Sequence, residues 1–160
     1  MTTPGHPLLA PIQAIHRSIR QRVVEASERA VAGALSDVAR DTEGDTIYAI
    51  DAIAEHALAD EIERTIATPD APVVLIAEGL EGGEIVLPAG ADRRRARWVL
   101  IVDPIDGTRG VMYQKRPAWI LTGVASGPGP HTLADIELAV QTEIPLVKQH
   151  LSDEIWAVRG

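Results

Sequence analysis

Residues 98–108 read Trp98-Val99-Leu100-Ile101-Val102-Asp103-Pro104-Ile105-Asp106-Gly107-Thr108. The stretch 98–102 is continuously apolar and ends at turn residues, the pattern of a buried strand. Two carboxylates, Asp103 and Asp106, then leave that strand three residues apart at a Pro/Gly turn. Pro104 fixes φ and removes a donor, which holds Asp103 and the Ile105 carbonyl in place. Gly107 lets the backbone approach a ligand closely. Hard oxygen donors clustered in this way suit Mg²⁺, which prefers carboxylates, waters and phosphate oxygens. Asp-Pro and Asp-Gly are, taken singly, ordinary turn dipeptides. Here they follow a buried strand, and Glu78 ends an earlier apolar run, Val73–Ala77. If the two runs are neighbouring strands, both deliver carboxylates to one point.

Upstream, the period changes to that of a helix. Leu8, Ile12, Ile15, Ile19, Val23, Ala26 and Ala30 recur at three- and four-residue steps and share one face. Pro11 suits the first turn, Glu25 and Arg29 form a favourable i,i+4 pair, and Gly33 loosens the end. A turn is expected at residues 41–45, then a short β-prone stretch at 46–50. Helical period returns at 52–66, with Ile53, Ala57, Leu58, Ile62 and Ile66 inward, Asp51 as N-cap and Glu55 in the first turn. Thr68-Pro69-Asp70 closes that element.

Downstream, residues 118–125 and 133–141 read as two strands around a turn at 127–130, and 155–158 as another. The expected fold class is therefore α+β: two N-terminal helices packed on a mainly antiparallel sheet.

Composition narrows the function classes. The chain has 160 residues, a net charge of −8, 46% hydrophobic and 24% charged residues, as expected for a single globular domain or a large piece of one. Its acidic balance argues against a general nucleic-acid binder. The absence of Cys excludes disulfides and thiol catalysis. With no Phe, three Trp and two Tyr, an aromatic platform for single strands is not expected. The apolar runs fall far short of the roughly 20 residues that span a bilayer, and residues 1–7 lack a secretory pattern. No membrane or nucleic-acid partner and a cytoplasmic location are the expectations.

Asp103 to Thr108 resembles the D-P-[IL]-D-G-[ST] signature of the inositol monophosphatase family of Mg²⁺-dependent, lithium-sensitive phosphatases. Asp45 to Asp51, with Glu55 following, resembles the family's D-x-V-T-x-x-D segment. Leu75-Ile76-Ala77-Glu78-Gly79 is similar to its apolar strand ending in G-E-E, and Pro117 to Ala125 to its P-x-[AV]-x-S-[IL]-A strand. The resemblance implies the first half of that family's αβαβα sandwich. It implies Mg²⁺ held by Glu78, Asp103 and the Ile105 carbonyl, and a second ion held by Asp106 and Asp103. Thr108 would orient the attacking water and Asp51 would accept its proton, so the implied catalytic residues are Thr108, Asp51 and Asp106. The Gly107 and Thr108 N–H groups would receive the substrate phosphate. The implied substrate is a phosphorylated small molecule, an inositol or sugar phosphate. A 3'(2'),5'-bisphosphate nucleotide or fructose 1,6-bisphosphate is the alternative within the superfamily.

The chain also departs from that pattern. Gly79 replaces the second Glu of G-E-E and Ala77 its Gly, and Gly110-Val111 stand where many relatives carry Asn-Phe. The family's W-D-x-A-[AG] motif, which supplies a further metal-binding Asp from a second half, does not occur. Residues 1–160 are thus read as the N-terminal α+β portion without its C-terminal α/β half. A fragment is preferred to a natural short form, which would expose the face for the second half and be completed by another chain, for instance as a homodimer. The rival class is a non-catalytic module that binds cation or a partner.

The remaining groups rank lower. Arg93-Arg94-Arg95 with Arg97 reads as a solvated loop, with a phosphate or polyanion contact as its alternative. Lys115 and Arg116 read as a loop, with an anionic substrate as theirs. His6, His16, His56, His131 and His150 show no ligand spacing and read as surface or satisfied side chains. Ser126 and Ser152 lack a nucleophile elbow. Gly79, Gly82 and Gly83 lack the G-K-[ST] of a P-loop and read as a flexible hairpin bringing Glu78, Glu81 and Glu84 near a cation.

Overall fold

The strand that opens the signature, β3 (Trp98–Asp106), lies inside a six-stranded sheet. The computed structural model describes residues 5–34 and 43–160, with side chains for 5–29 and 51–160. The other strands are β1 (Val73–Ala77), β2 (Glu84–Leu87), β4 (Ala118–Ser126), β5 (Leu138–Ile144) and β6 (Glu154–Val158), in spatial order β2-β1-β3-β4-β5-β6. Only the β1–β3 pair is parallel. The fold is α+β, as expected, with a mixed and mostly antiparallel sheet.

Helices α1 (Leu9–Ala34) and α2 (Glu43–Thr65) pack on one face of this sheet, and a short α3 (Thr108–Met112) follows β3. The 3.6-residue period of α1 delivers Ile12, Ile15, Ile19 and Val23 to the core, each at most 3% exposed. They meet Leu100, Val102, Ile120, Val124, Leu138 and Val140, the alternate residues of three successive strands. Glu25 and Arg29 pair at 3.4 Å, as the spacing predicts.

His16 is the polar exception in this core. It is fully buried, with Nδ1 at 2.9 Å from Thr142 Oγ1 and Nε2 at 2.7 Å from Thr122 Oγ1. Both ring nitrogens are satisfied, and burial lowers its pKa to about 3. The sequence reading of a satisfied histidine holds for it.

Several local expectations are corrected. Residues 46–50 are helical, not extended, and Asp51 sits inside α2 rather than at its N-cap. β-branched residues cost a helix only a few tenths of a kcal/mol each, which a continuing helix absorbs. Of the turn expected at 41–45, residues 41 and 42 lie outside the described residues, and 43–45 belong to α2. Ile53 is 41% exposed rather than inward; its neighbour Ala54 takes the core-facing place. Residues 133–135 form a 3-10 turn before β5, because Asp135 Oδ2 accepts from both Thr132 N–H (2.7 Å) and Thr132 Oγ1–H (2.9 Å). Residues 84–87 form β2, antiparallel to β1, so the turn that holds Gly79, Gly82 and Gly83 is that of a β-hairpin, as the sequence suggests.

Candidate active site

The parallel pairing of β1 and β3 builds the site. Ala77 is in register with Val102, so the next residues, Glu78 just past the end of β1 and Asp103 on β3, follow side by side. This is the convergence expected if the two apolar runs were neighbours. Between Asp103 and Asp106 the β3–β4 register slips, with Asp103 opposite Leu121 and Asp106 opposite Trp119. Three steps on one strand against two on the other make a bulge, which turns the backbone of Pro104 and Ile105 out of the ladder. Asp103 Oδ1 accepts the Ile105 N–H at 3.1 Å, fixing that turn.

Helix α2 covers this strand end. Asp51 and Glu55, one turn apart on the same helix face, line a cleft of about 530 Å³ with Ala52, Glu78, Gly79, Asp103, Pro104, Ile105 and Thr108. Thr108 ties two of its walls together. Its Oγ1 is 3.0 Å from Asp51 Oδ1 and 3.0 Å from the Ile105 carbonyl oxygen, both acceptors for the hydroxyl proton. Gly107 reaches this geometry with φ +98°, a left-handed conformation that favours glycine.

The charge in the cleft is one-sided. Among the described residues four carboxylates line it, and no Lys or Arg does. Burial, then repulsion by Glu78, raises the pKa of Asp51 against the lowering effect of its Thr108 hydrogen bond. Burial raises that of Asp103, partly offset by the Ile105 N–H, and the charges of Asp106, Glu78 and Asp51 add to the rise. Glu55 is raised by burial and by the Asp51 charge. Such a set is short of positive charge.

Among the described residues no group of three or more His, Cys, Asp or Glu side chains is placed to hold a metal ion. The donor set nonetheless suits Mg²⁺, which retains waters and takes one or two carboxylates beside substrate oxygens. Glu78, Asp103 and the Ile105 carbonyl are the groups that would hold it.

Not every residue singled out in the sequence faces this cleft. Asp51, Glu78, Asp103, Ile105 and Thr108 line it, whereas Asp106 and Gly107 are outside the lining and Asp106 is exposed. Asp106 is still near enough for its charge to act on Asp103. Glu84 does not turn to the cleft: it binds Arg93 at 2.8 Å, and Glu81 is exposed outside the lining. Arg93, Arg94 and Arg95 form local ion pairs, the last two with Asp92 at 3.0 Å and Asp70 at 3.9 Å, and Arg97 lies over the Trp98 ring, 5.6 Å from its centroid. Lys115 lies over the Tyr113 ring, 5.4 Å from its centroid. The residue missed as a site member is Glu55; its i,i+4 spacing from Asp51 was the available signal.

The helix-covered mixed sheet is a fold that solved structures share. Similar solved structures include those of Leishmania major fructose-1,6-bisphosphatase. Its holo form matches with a TM-score of 0.64 at 18% identity over 94% of this chain. The apo form gives 0.61 at 16% over 98%, and the T-state 0.60 at 15% over 98%. These are likenesses of fold. The chain spans 42–48% of the length of those chains. No sequence-family model and no curated protein matches it.

Proposed function

We propose that this chain carries the cation-binding and water-activating portion of a Mg²⁺-dependent phosphate monoester hydrolase. Its substrate is an inositol or sugar phosphate. The observation that carries this reading is the Thr108 hydroxyl 3.0 Å from Asp51 Oδ1, in the same cleft as Glu78 and Asp103. The D-P-I-D-G-T resemblance to the inositol monophosphatase family and the fold likeness support it. Residues 1–160 are then the N-terminal portion of a larger α/β unit, completed by further chain or by a second copy, and working in the cytoplasm.

In this mechanism Thr108 accepts a hydrogen bond from the attacking water and donates its own hydroxyl proton to Asp51. The water's proton passes to Thr108 Oγ1 as the Thr108 proton passes to Asp51, whose pKa, raised by burial, suits it to act as a base. The Gly107 and Thr108 N–H groups hold the phosphate, and Asp106 carries charge beside Asp103. A Mg²⁺ ion bound by Glu78, Asp103 and the Ile105 carbonyl would supply positive charge against the phosphoryl oxygens. A second ion would rest on Asp103 and Asp106. Fructose 1,6-bisphosphate is the second substrate reading, favoured by what the similar solved structures are.

The test is phosphate release by the purified chain from inositol 1-phosphate, fructose 1,6-bisphosphate and adenosine 3',5'-bisphosphate, with Mg²⁺ and with EDTA. Turnover that EDTA abolishes, lost in Asp103→Asn and kept in Asp60→Asn, is the expected result. Turnover unaffected by EDTA and by Asp103→Asn would refute it. Mg²⁺ binding without turnover would favour the non-catalytic module.

A further inference from the structure

The segment that follows the signature turn carries two arginines, Arg109 and Arg116, that the mechanism above does not use. Both are exposed. Every other arginine whose side chain is described is tied to a carboxylate, a hydroxyl, a carbonyl oxygen or the Trp98 ring. Arg109 and Arg116 alone, among the described residues, have no such partner. Arg116 is nonetheless held in place. Its N–H donates to the Gly110 carbonyl at 3.3 Å, as that of Lys115 does at 3.0 Å, which folds the chain back on α3. Its side chain then runs across Gly110: a β-carbon built there would stand 2.5 Å from Arg116 Cγ and 2.8 Å from Nε. Gly110 lies within α3 and has no positive φ to require glycine, and helices disfavour this residue. The Arg116 side chain above it gives its bareness a reason. Both arginines also adjoin the signature turn. The Gly107 carbonyl accepts the Gly110 N–H at 2.8 Å, and a β-carbon on Gly107 would lie 3.6 Å from Ala118 Cα and 3.8 Å from the Pro117 carbonyl oxygen. Arg116 immediately precedes Pro117, and Arg109 follows Thr108.

We propose that Arg116, with Arg109 beside Gly110, binds a second phosphate of the substrate, so that the site prefers an ester carrying two phosphates to one carrying a single phosphate. This rests on the reading of the cleft as that of a phosphate monoester hydrolase and narrows its substrate class. Among the described residues the cleft lining holds four carboxylates and no Lys or Arg, so a second anionic group is repelled from it. Such a group must rest outside the lining, where the two free arginines stand one and eight residues after Thr108. A guanidinium meets phosphate oxygens through paired, charge-assisted hydrogen bonds. With its stem already laid on Gly110, Arg116 loses less freedom on binding than a free side chain would.

The test is calorimetric titration of the full chain, in MgCl₂, with butane-1,4-bisphosphonate and with butylphosphonate, whose C–P bonds a phosphate ester hydrolase does not cleave. The parent chain is expected to bind the bisphosphonate more tightly. Arg116→Ala is expected to weaken bisphosphonate binding by about tenfold or more, as loss of a charged hydrogen-bonding partner does, and to leave butylphosphonate binding unchanged. Arg116→Lys should restore part of the preference, and Arg94→Ala, a charge control paired with Asp92, should keep all of it. Thermal melts are expected to show Arg116→Ala as stable as the parent chain, so that the loss is one of binding. Parent affinity for the bisphosphonate in Arg116→Ala, with both probes lost in Asp103→Asn, would overturn the role of Arg116 and leave the cleft reading standing. Equal weakening of both probes, or a parent chain that binds the two alike, would overturn recognition of a second phosphate. A parent chain that binds neither probe would overturn the reading of the cleft as well.

Discussion

Thr108 links the two halves of the candidate chemistry, because its hydroxyl touches both α2, through Asp51, and the turn of the signature, through Ile105. Thr108→Ala removes the proton path while leaving the cation donors in place. Phosphate release should fall at least about a hundredfold, the usual contribution of a positioned acid–base group, with Mg²⁺ affinity unchanged by calorimetry. Gly79 is constrained by its backbone rather than by its neighbours. At φ +88° an alanine is expected to cost about 1–2 kcal/mol, measured as a lower urea midpoint of the metal-free chain. The steric part is small, since the Glu55 head group can swing aside. Both effects live on single residues, one on chemistry and the other on conformation.

At the scale of elements, α1 and the sheet are joined through His16, wedged between Thr142 on β5 and Thr122 on β4. Its folded pKa, about 3, lies below the unfolded value of 6.5. The unfolded chain therefore binds a proton that the folded chain refuses. The His16 contribution is present in full above pH 6.5 and is lost as pH falls towards 3. Between pH 7 and pH 4 this amounts to about 3 kcal/mol, a sizeable fraction of an ordinary fold's stability. The cleft carboxylates act in the opposite sense. Their raised pKa values favour the folded state at low pH and disfavour it as pH rises past the ordinary carboxylate range. Denaturant titrations at pH 7 and pH 4 should show the net loss, and His16→Gln should remove most of the pH dependence. A chain equally stable at both pH values would contradict the buried neutral imidazole.

For the whole molecule, the two faces of the sheet differ. One is covered by α1 and α2. On the other, Val74, Ala96 and Val99 form a small buried cluster, but Ile101 is 44% and Ile155 53% exposed. Leu100 and Val102 flank Ile101 and point into the helix-covered core, so alternation sends Ile101 to the open side. Apolar side chains on an open sheet face favour association. Sedimentation velocity is expected to show a concentration-dependent rise in mass that Ile101→Lys reduces, with the fold retained by circular dichroism. A chain that stays monomeric at all concentrations would count against self-association through this face. No helix among the described residues is long and apolar enough to cross a membrane.

The sequence by itself determined what local chemistry can write down. The apolar runs at 73–77 and 98–102 marked two strands, the three- and four-residue steps of Ile12 to Val23 marked α1, and the dense D-P-I-D-G-T turn marked Asp103 and Thr108 as residues to watch. These signals survive because burial and turn geometry act over a few neighbouring residues. Local signals misled where tertiary packing overrides weak propensity. Residues 46–50 look extended and are helical, so Asp51 was read as a cap rather than as part of a helix face shared with Glu55. Only the tertiary structure decided that β1 and β3 run parallel in register, setting Glu78 beside Asp103. It also decided that Glu84 turns away to Arg93, and that the Glu55 carboxylate fills the space over Gly79. The Glu78–Asp103 and Glu55–Gly79 pairings join residues 25 and 24 positions apart. Strand register and helix docking are set by the fit of whole faces, which no single segment encodes.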